Sequence, residues 1–157
     1  MNIFKIADNE SGLTQQEITH ALRQSLEDRH PRRVLILPPD FTRYHSNAGF
    51  ITNTYYHILQ NMGAEVDIMP ALGTHEPMTE EQAFAMFGDV PYEKLIPHNW
   101  RTDVLKVGEV PSSYLEDVTE GLWHEPISVE INRRVMDEQY DLIISPGQVV
   151  PHEVIGM

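Results

Sequence analysis

Apolar residues recur along this chain with two periods, and their alternation lays out a sequence of helices and strands. Ile18, Ala21, Leu22 and Leu26 fall at helical spacing behind Thr14-Gln-Gln-Glu17, a capping box, so residues 15 to 28 read as an amphipathic helix that ends before Pro31. Arg32-Arg-Val-Leu-Ile-Leu37 is a continuous apolar run behind two charges, the pattern of a strand buried on both faces of a parallel sheet, and it stops at Pro38-Pro39. Ser46 or Asn47 can cap a second helix through Ile51, Tyr55, Ile58, Leu59 and Met62, closed by Gly63. Ala64-Glu-Val-Asp-Ile-Met69 then alternates as a half-buried strand, which completes a βαβ unit with parallel strands. A second capping box, Thr79-x-x-Gln82, opens a helix that runs through Phe84 and Phe87 to a stop at Gly88.

Pro91 and Pro97 break up the next stretch. Thr102 to Val107 and Ile127 to Ile131 alternate as strands and are expected to pair antiparallel, with an irregular connection holding Gly108, Pro111, Gly121 and Pro126. A short helical segment, Val135 to Tyr140, leads into a buried strand, Asp141 to Ser145, and then a loop, Pro146 to His152. These elements predict a single α/β domain over residues 1–157. It is built as a three-layer, open and mostly parallel sheet with βαβ units, Rossmann-like or flavodoxin-like, with room for one antiparallel strand.

The 157 residues suffice for one ordinary domain. Eleven basic against twenty-four acidic residues give a net charge of -13, which repels phosphate backbones and argues against a nucleic-acid or anionic-membrane partner. Cysteine is absent, so there is no disulfide and no thiolate metal site. No apolar stretch approaches the roughly 20 residues of a membrane span, and the amino terminus lacks a signal-peptide core, so a cytoplasmic location is expected. There is no GxGxxG and no P-loop, and no HExxH or His-x-His spacing that would mark a metal site.

Candidate chemistry gathers where strands end. In an open α/β sheet, ligands bind outside the carboxyl ends of the strands. Three strands, ending near Leu37, Met69 and Ser145, are each followed by a loop with polar or ionisable groups: Asp40-Phe-Thr-Arg43, Gly73-Thr-His75, and Pro146-Gly147 through His152. Arg43 offers a planar fork for a carboxylate or phosphate, and Asp40 can orient that arginine or a ligand hydroxyl. The plainer alternatives are a surface ion pair between Asp40 and Arg43 and a loop histidine at 75 bonded to backbone. His98 likewise lines a cleft or is a satisfied loop histidine. His20, His30, His45, His57 and His124 have ordinary surface explanations.

Taken together, Asp40-Phe-Thr-Arg43, Gly73-Thr-His-Glu-Pro-Met-Thr79, Glu130-Ile-Asn-Arg133, and Pro146-Gly147 to Pro151-His152-Glu153-x-x-Gly156 resemble the N-terminal domain of the nickel-pincer lactate racemase family, over about residues 32 to 157. The resemblance implies an enzyme that interconverts stereoisomers of a small 2-hydroxy acid, using nickel held in a pincer-shaped nucleotide derived from nicotinic acid. It matches His75 and His152 to the family's two catalytic histidines. It matches Asp40, Thr42 and Arg43 to a DxTR motif beside cofactor and substrate, with Gly73 and Thr74 in the adjoining loop. Abstracting the carbon-bound proton of a hydroxy acid directly is hard. If the cofactor takes that hydrogen as hydride, the protein need only move the hydroxyl proton, a task for imidazole near neutral pH. One base on each side then serves both directions of reaction.

Family members continue past the Pro-His motif into a serine- and glycine-rich turn, a lysine that carries the cofactor, a nickel-ligating histidine and a second domain. The chain ends at Met157, so it is expected to be the N-terminal half of a two-domain enzyme, inactive alone, with no metal ligand of its own and no cofactor bound. An apolar face left without its partner domain would favour homo-oligomers. Glu76 stands where many relatives carry a basic residue, so the hydroxy acid can differ from lactate. Two other classes compete: a stand-alone ligand-binding or interaction module, and a hydrolase holding zinc or manganese with His75, His152 and Asp40.

Overall fold

Both capping boxes close. In the computed structural model, which describes residues 2–151, the Thr14 hydroxyl accepts from Glu17 N at 3.2 Å while the Glu17 carboxylate accepts from Thr14 N at 2.8 Å. Thr79 and Gln82 repeat the exchange at 3.2 and 3.0 Å. These reciprocal bonds satisfy amides that a helix start leaves without partners. They begin helices α1 (Gln15–Ser25) and α3 (Glu80–Phe87). Helix α2 (Ala48–Asn61) follows a six-residue 3-10 turn, Phe41–Ser46, and starts from Asn47 in the left-handed conformation at φ 62°.

Two compact units make up the described chain: one runs to Pro97 and resumes at Gln139, and the other is His98–Glu138. In the first unit β1 (Arg33–Ile36) lies between β2 (Glu65–Ile68) and β5 (Leu142–Ile144), and both pairings are parallel. Val34, Leu35 and Ile36 are completely buried, as a central strand with an uninterrupted apolar run requires. Val34, Ile36, Val66 and Ile68 join Leu59 of α2 and Phe87 of α3 in one core cluster. The opposite face carries Leu35 and a polar clasp, in which the Arg33 guanidinium donates to Asp67 at 3.1 Å and to Gln139 at 2.6 Å and lies over the Tyr140 ring.

In the second unit β3 (Val104–Val110) and β4 (Ile127–Asn132) pair antiparallel, with a register shift between Lys106 and Gly108. The antiparallel strands thus form their own two-stranded sheet instead of adding one strand to the parallel one. The connection expected to be irregular contains a helix, α4 (Ser112–Val118). It is brief and buries no residue, so the core-facing stripe that announces longer helices is missing. The short helix expected over 135–140 is instead a 3-10 turn at Arg133–Met136, started by Asn132, whose side chain accepts from Arg134 N.

Candidate functional site

The β1–β2 ladder does not stop where the strands do. Met69 N donates to Ile36 O at 2.9 Å and Ala71 N to Pro38 O at 2.7 Å, with a parallel bridge between Pro39 and Ala71. Proline lacks a donor but keeps its carbonyl, so the pairing survives Pro38-Pro39 on the acceptor side. The two loops therefore leave the sheet side by side at the carboxyl ends of their strands. Asp40 begins one loop and caps the Phe41–Ser46 turn, its carboxylate accepting from Thr42 N at 3.1 Å. The other loop folds back at once: His75 N donates to Leu72 O at 2.9 Å around Gly73, whose φ of +58° favours glycine although nothing crowds its missing side chain.

These two turns bring Asp40 and His75 into contact. The Asp40 Oδ2 atom lies 2.6 Å from His75 Nδ1, while Oδ1 accepts from the Thr42 hydroxyl at 2.5 Å as well as from the Thr42 amide. Asp40 is 5% exposed, whereas the His75 side chain is 58% exposed. Burial is the largest single influence on the Asp40 carboxyl and pushes it up. The hydrogen bonds from the Thr42 hydroxyl, His75 and the Thr42 amide, with the attraction of His75, together prevail and hold it below the ordinary carboxylate range. Asp40 is thus a buried carboxylate whose partners are satisfied, and His75 is its solvent-facing neighbour.

Thr42, Arg43, Gly73 and Thr74 are all exposed on these two loops. No side-chain bond joins Asp40 to Arg43, so the surface ion pair considered from the sequence is not formed; Asp40 turns to Thr42 and His75 instead. The third loop leaves from β5 on the other side of β1, where Leu37 N donates to Ile144 O at 2.7 Å. Pro146 is buried there, and residues 147–151 are exposed. His152 lies outside the described residues. Sequence reasoning placed Asp40 and His75 on one rim but missed their bond. A signal was present in Asp-x-Thr, because an aspartate before a threonine at this spacing tends to cap a turn and become buried by it.

The remaining histidines with partners have structural ones: His98 meets Asn132 at 3.0 Å, His57 meets Asp89 at 2.9 Å and His124 meets Glu116 at 2.5 Å. Among the described residues no three His, Asp or Glu side chains gather closely enough to hold a metal ion, and no helix is long and apolar enough to cross a membrane.

Comparison with known proteins places this rim in context. The family model described as the lactate racemase N-terminal domain matches residues 9–157. No match is found among curated proteins. A Thermotoga maritima protein of known crystal structure is similar at 24% identity and a TM-score of 0.77, covering 90% of this chain and 34% of that one. The lactate racemase apoprotein from Thermoanaerobacterium thermosaccharolyticum is similar at 19% identity and a TM-score of 0.55, covering 82% and 31%. At these identities the two structures establish the fold, and the chain spans about a third of their length. The match over residues 9–157 settles the family: this chain belongs to the lactate racemase N-terminal domain family.

Proposed function

We propose that this chain is the N-terminal part of a cytoplasmic racemase or epimerase acting on a small 2-hydroxy acid, with His75 and His152 as its alternating acid and base. The observation that supports this most is the pairing of an exposed imidazole with a buried carboxylate at the carboxyl rim of a parallel sheet, in a chain of the lactate racemase family. One histidine takes the substrate's hydroxyl proton, and the other returns a proton to the product's oxygen. The Arg43 guanidinium, exposed on the loop next to His75, holds the substrate carboxylate or an anionic group of the cofactor.

The family's nickel-pincer nucleotide, when bound, supplies an acceptor for the hydrogen on the substrate carbon. The described residues fit its organic, anionic part better than its metal: Arg43, Gly73 and Thr74 are exposed at one rim beside Thr42, whose own donors are held by Asp40, whereas no metal-ligand cluster is found among the described residues. Nickel is assigned to none of the described residues. Racemisation of lactate and longer 2-hydroxy acids by the cofactor-loaded enzyme tests the reading. His75→Ala and His152→Ala should each cost about 10²- to 10⁴-fold in kcat, the usual contribution of a positioned acid or base. Arg43→Ala should act mainly on KM. Full activity in either histidine variant would refute the assignment.

A further inference from the structure

Asp40 and Thr42 have so far been grouped with residues that touch cofactor or substrate, but their bonds run inward. Thr42 supplies two donors, its amide and its hydroxyl, and both go to Oδ1 of Asp40. That leaves Oδ2 for His75 Nδ1 at 2.6 Å. An ionised carboxylate can only accept, so the hydrogen in that contact belongs to Nδ1. Neutral His75 then carries its lone pair on Nε2. Free imidazole in water prefers the opposite tautomer, which would point the lone pair at the protein.

From this geometry we infer that Asp40, braced by Thr42, is a positioning residue that fixes His75 in its Nδ1–H tautomer, so that Nε2 is the one ring atom able to exchange a proton with a ligand. This rests on His75 being the base proposed above. The bracing has a consequence that a simple charge argument would not give. In an Asp40→Asn variant the single amide oxygen must choose between Thr42, with two donors, and His75, with one. Thr42 wins on count, and the amide NH2 is left facing Nδ1. Nδ1 must then accept, and His75 is driven into the Nε2–H tautomer with its basic lone pair buried. The isosteric variant thus inverts the base instead of merely weakening it.

Ring nitrogen-15 shifts of His75, assigned by comparison with His75→Gln, read the tautomer directly on this chain without cofactor. The unsubstituted chain should show a protonated Nδ1 and a bare Nε2, and Asp40→Asn the reverse. Asp40→Ala gives a second reading should the asparagine variant not fold, and should return to the Nε2–H form of free histidine. A bare Nδ1 in the unsubstituted chain, or an unchanged tautomer in a folded variant, overturns the inference. In the cofactor-loaded enzyme Asp40→Asn should lower kcat about 10³- to 10⁴-fold, the scale of a catalytic histidine held in the wrong tautomer, with KM changed only a few-fold. If His75→Ala is inactive and Asp40→Asn inverts the tautomer yet keeps kcat, the positioning role fails. If His75→Ala itself stays active, the base assignment fails while the tautomer result stands.

Discussion

Gly49, two residues into α2, is the point where the helix carrying the Asp40 turn at its start meets the end of the helix that follows the His75 loop. A Cβ built there would sit 2.1 Å from the Met86 carbonyl oxygen and 3.0 Å from both its carbonyl carbon and its Cγ. The first contact is about an ångström shorter than carbon and oxygen tolerate, and the obstacle is backbone, which cannot swing aside. Gly49→Ala must therefore push α2 and α3 apart. Overpacking of this kind costs about 1–3 kcal/mol, more where backbone must shift. Alanine's better helix propensity returns up to about 1 kcal/mol, so the net loss should be about 2 kcal/mol. For a chain of this size that lowers Tm by roughly 4–8 °C. Thermal and urea unfolding followed by circular dichroism measure it, with Gly63→Ala as a comparison that meets no neighbour but has to adopt a φ of +83°. A Gly49→Ala variant as stable as the original chain would mean that the two helices do not touch where the geometry puts them.

Thr52 is fully buried and its hydroxyl has no hydrogen-bond partner among the described residues, so Thr52→Val, which keeps the shape and removes the stranded oxygen, should raise urea stability by about 1 kcal/mol; a loss would show that the hydroxyl has a partner. Asn53 ties α2 to the end of α3 by donating to Phe87 O and Asp89 at 2.8 Å each, and Asn53→Ala should cost about 1 kcal/mol in the same assay. The Asp40 carboxyl is held below its unfolded value of about 3.9, so its contribution is complete above that pH and fades as the pH falls towards the folded value. Stability measured from pH 6 downward should therefore fall less steeply in Asp40→Asn than in the original chain, and equal slopes would refute this.

The pattern of apolar residues was enough to find the parallel strands, the three longer helices and the antiparallel pair, because in each the apolar residues recur with a period or run uninterrupted, even where, as in α1, β3 and β5, none of them is buried. Both capping boxes were legible for a different reason: they are local, needing only residues three apart. Helix α4 lacked both signals. It buries no residue, and no side chain caps its start, so its limits are marked by Pro111 ahead of it and by the positive φ of Glu120 and Gly121 behind it, of which the sequence signals only the glycine. The 3-10 turn at Arg133–Met136 was displaced from its expected position because its start is set by the side chain of Asn132.

The Asp40–His75 contact was harder to foresee, since it depends on a register that neither segment encodes alone. Along the β1–β2 pair each residue faces the one thirty-two positions on: Val34 faces Val66, Ile36 faces Ile68, and Pro39 still faces Ala71 beyond the last strand residues. The offset holds because Val34, Ile36, Val66 and Ile68 share one core, and a slip of one residue would turn every second side chain out of it. The apolar residues that stabilise the sheet thereby also choose which loop residues meet at its rim. Asp40 follows Pro39 by one position, and the turn at Gly73 brings His75 back towards the strand end; neither prolines nor turn leaves slack for another pairing. The precision of the candidate site is in this sense inherited from buried valines and isoleucines, each of them four residues or more along the chain from Asp40 or His75.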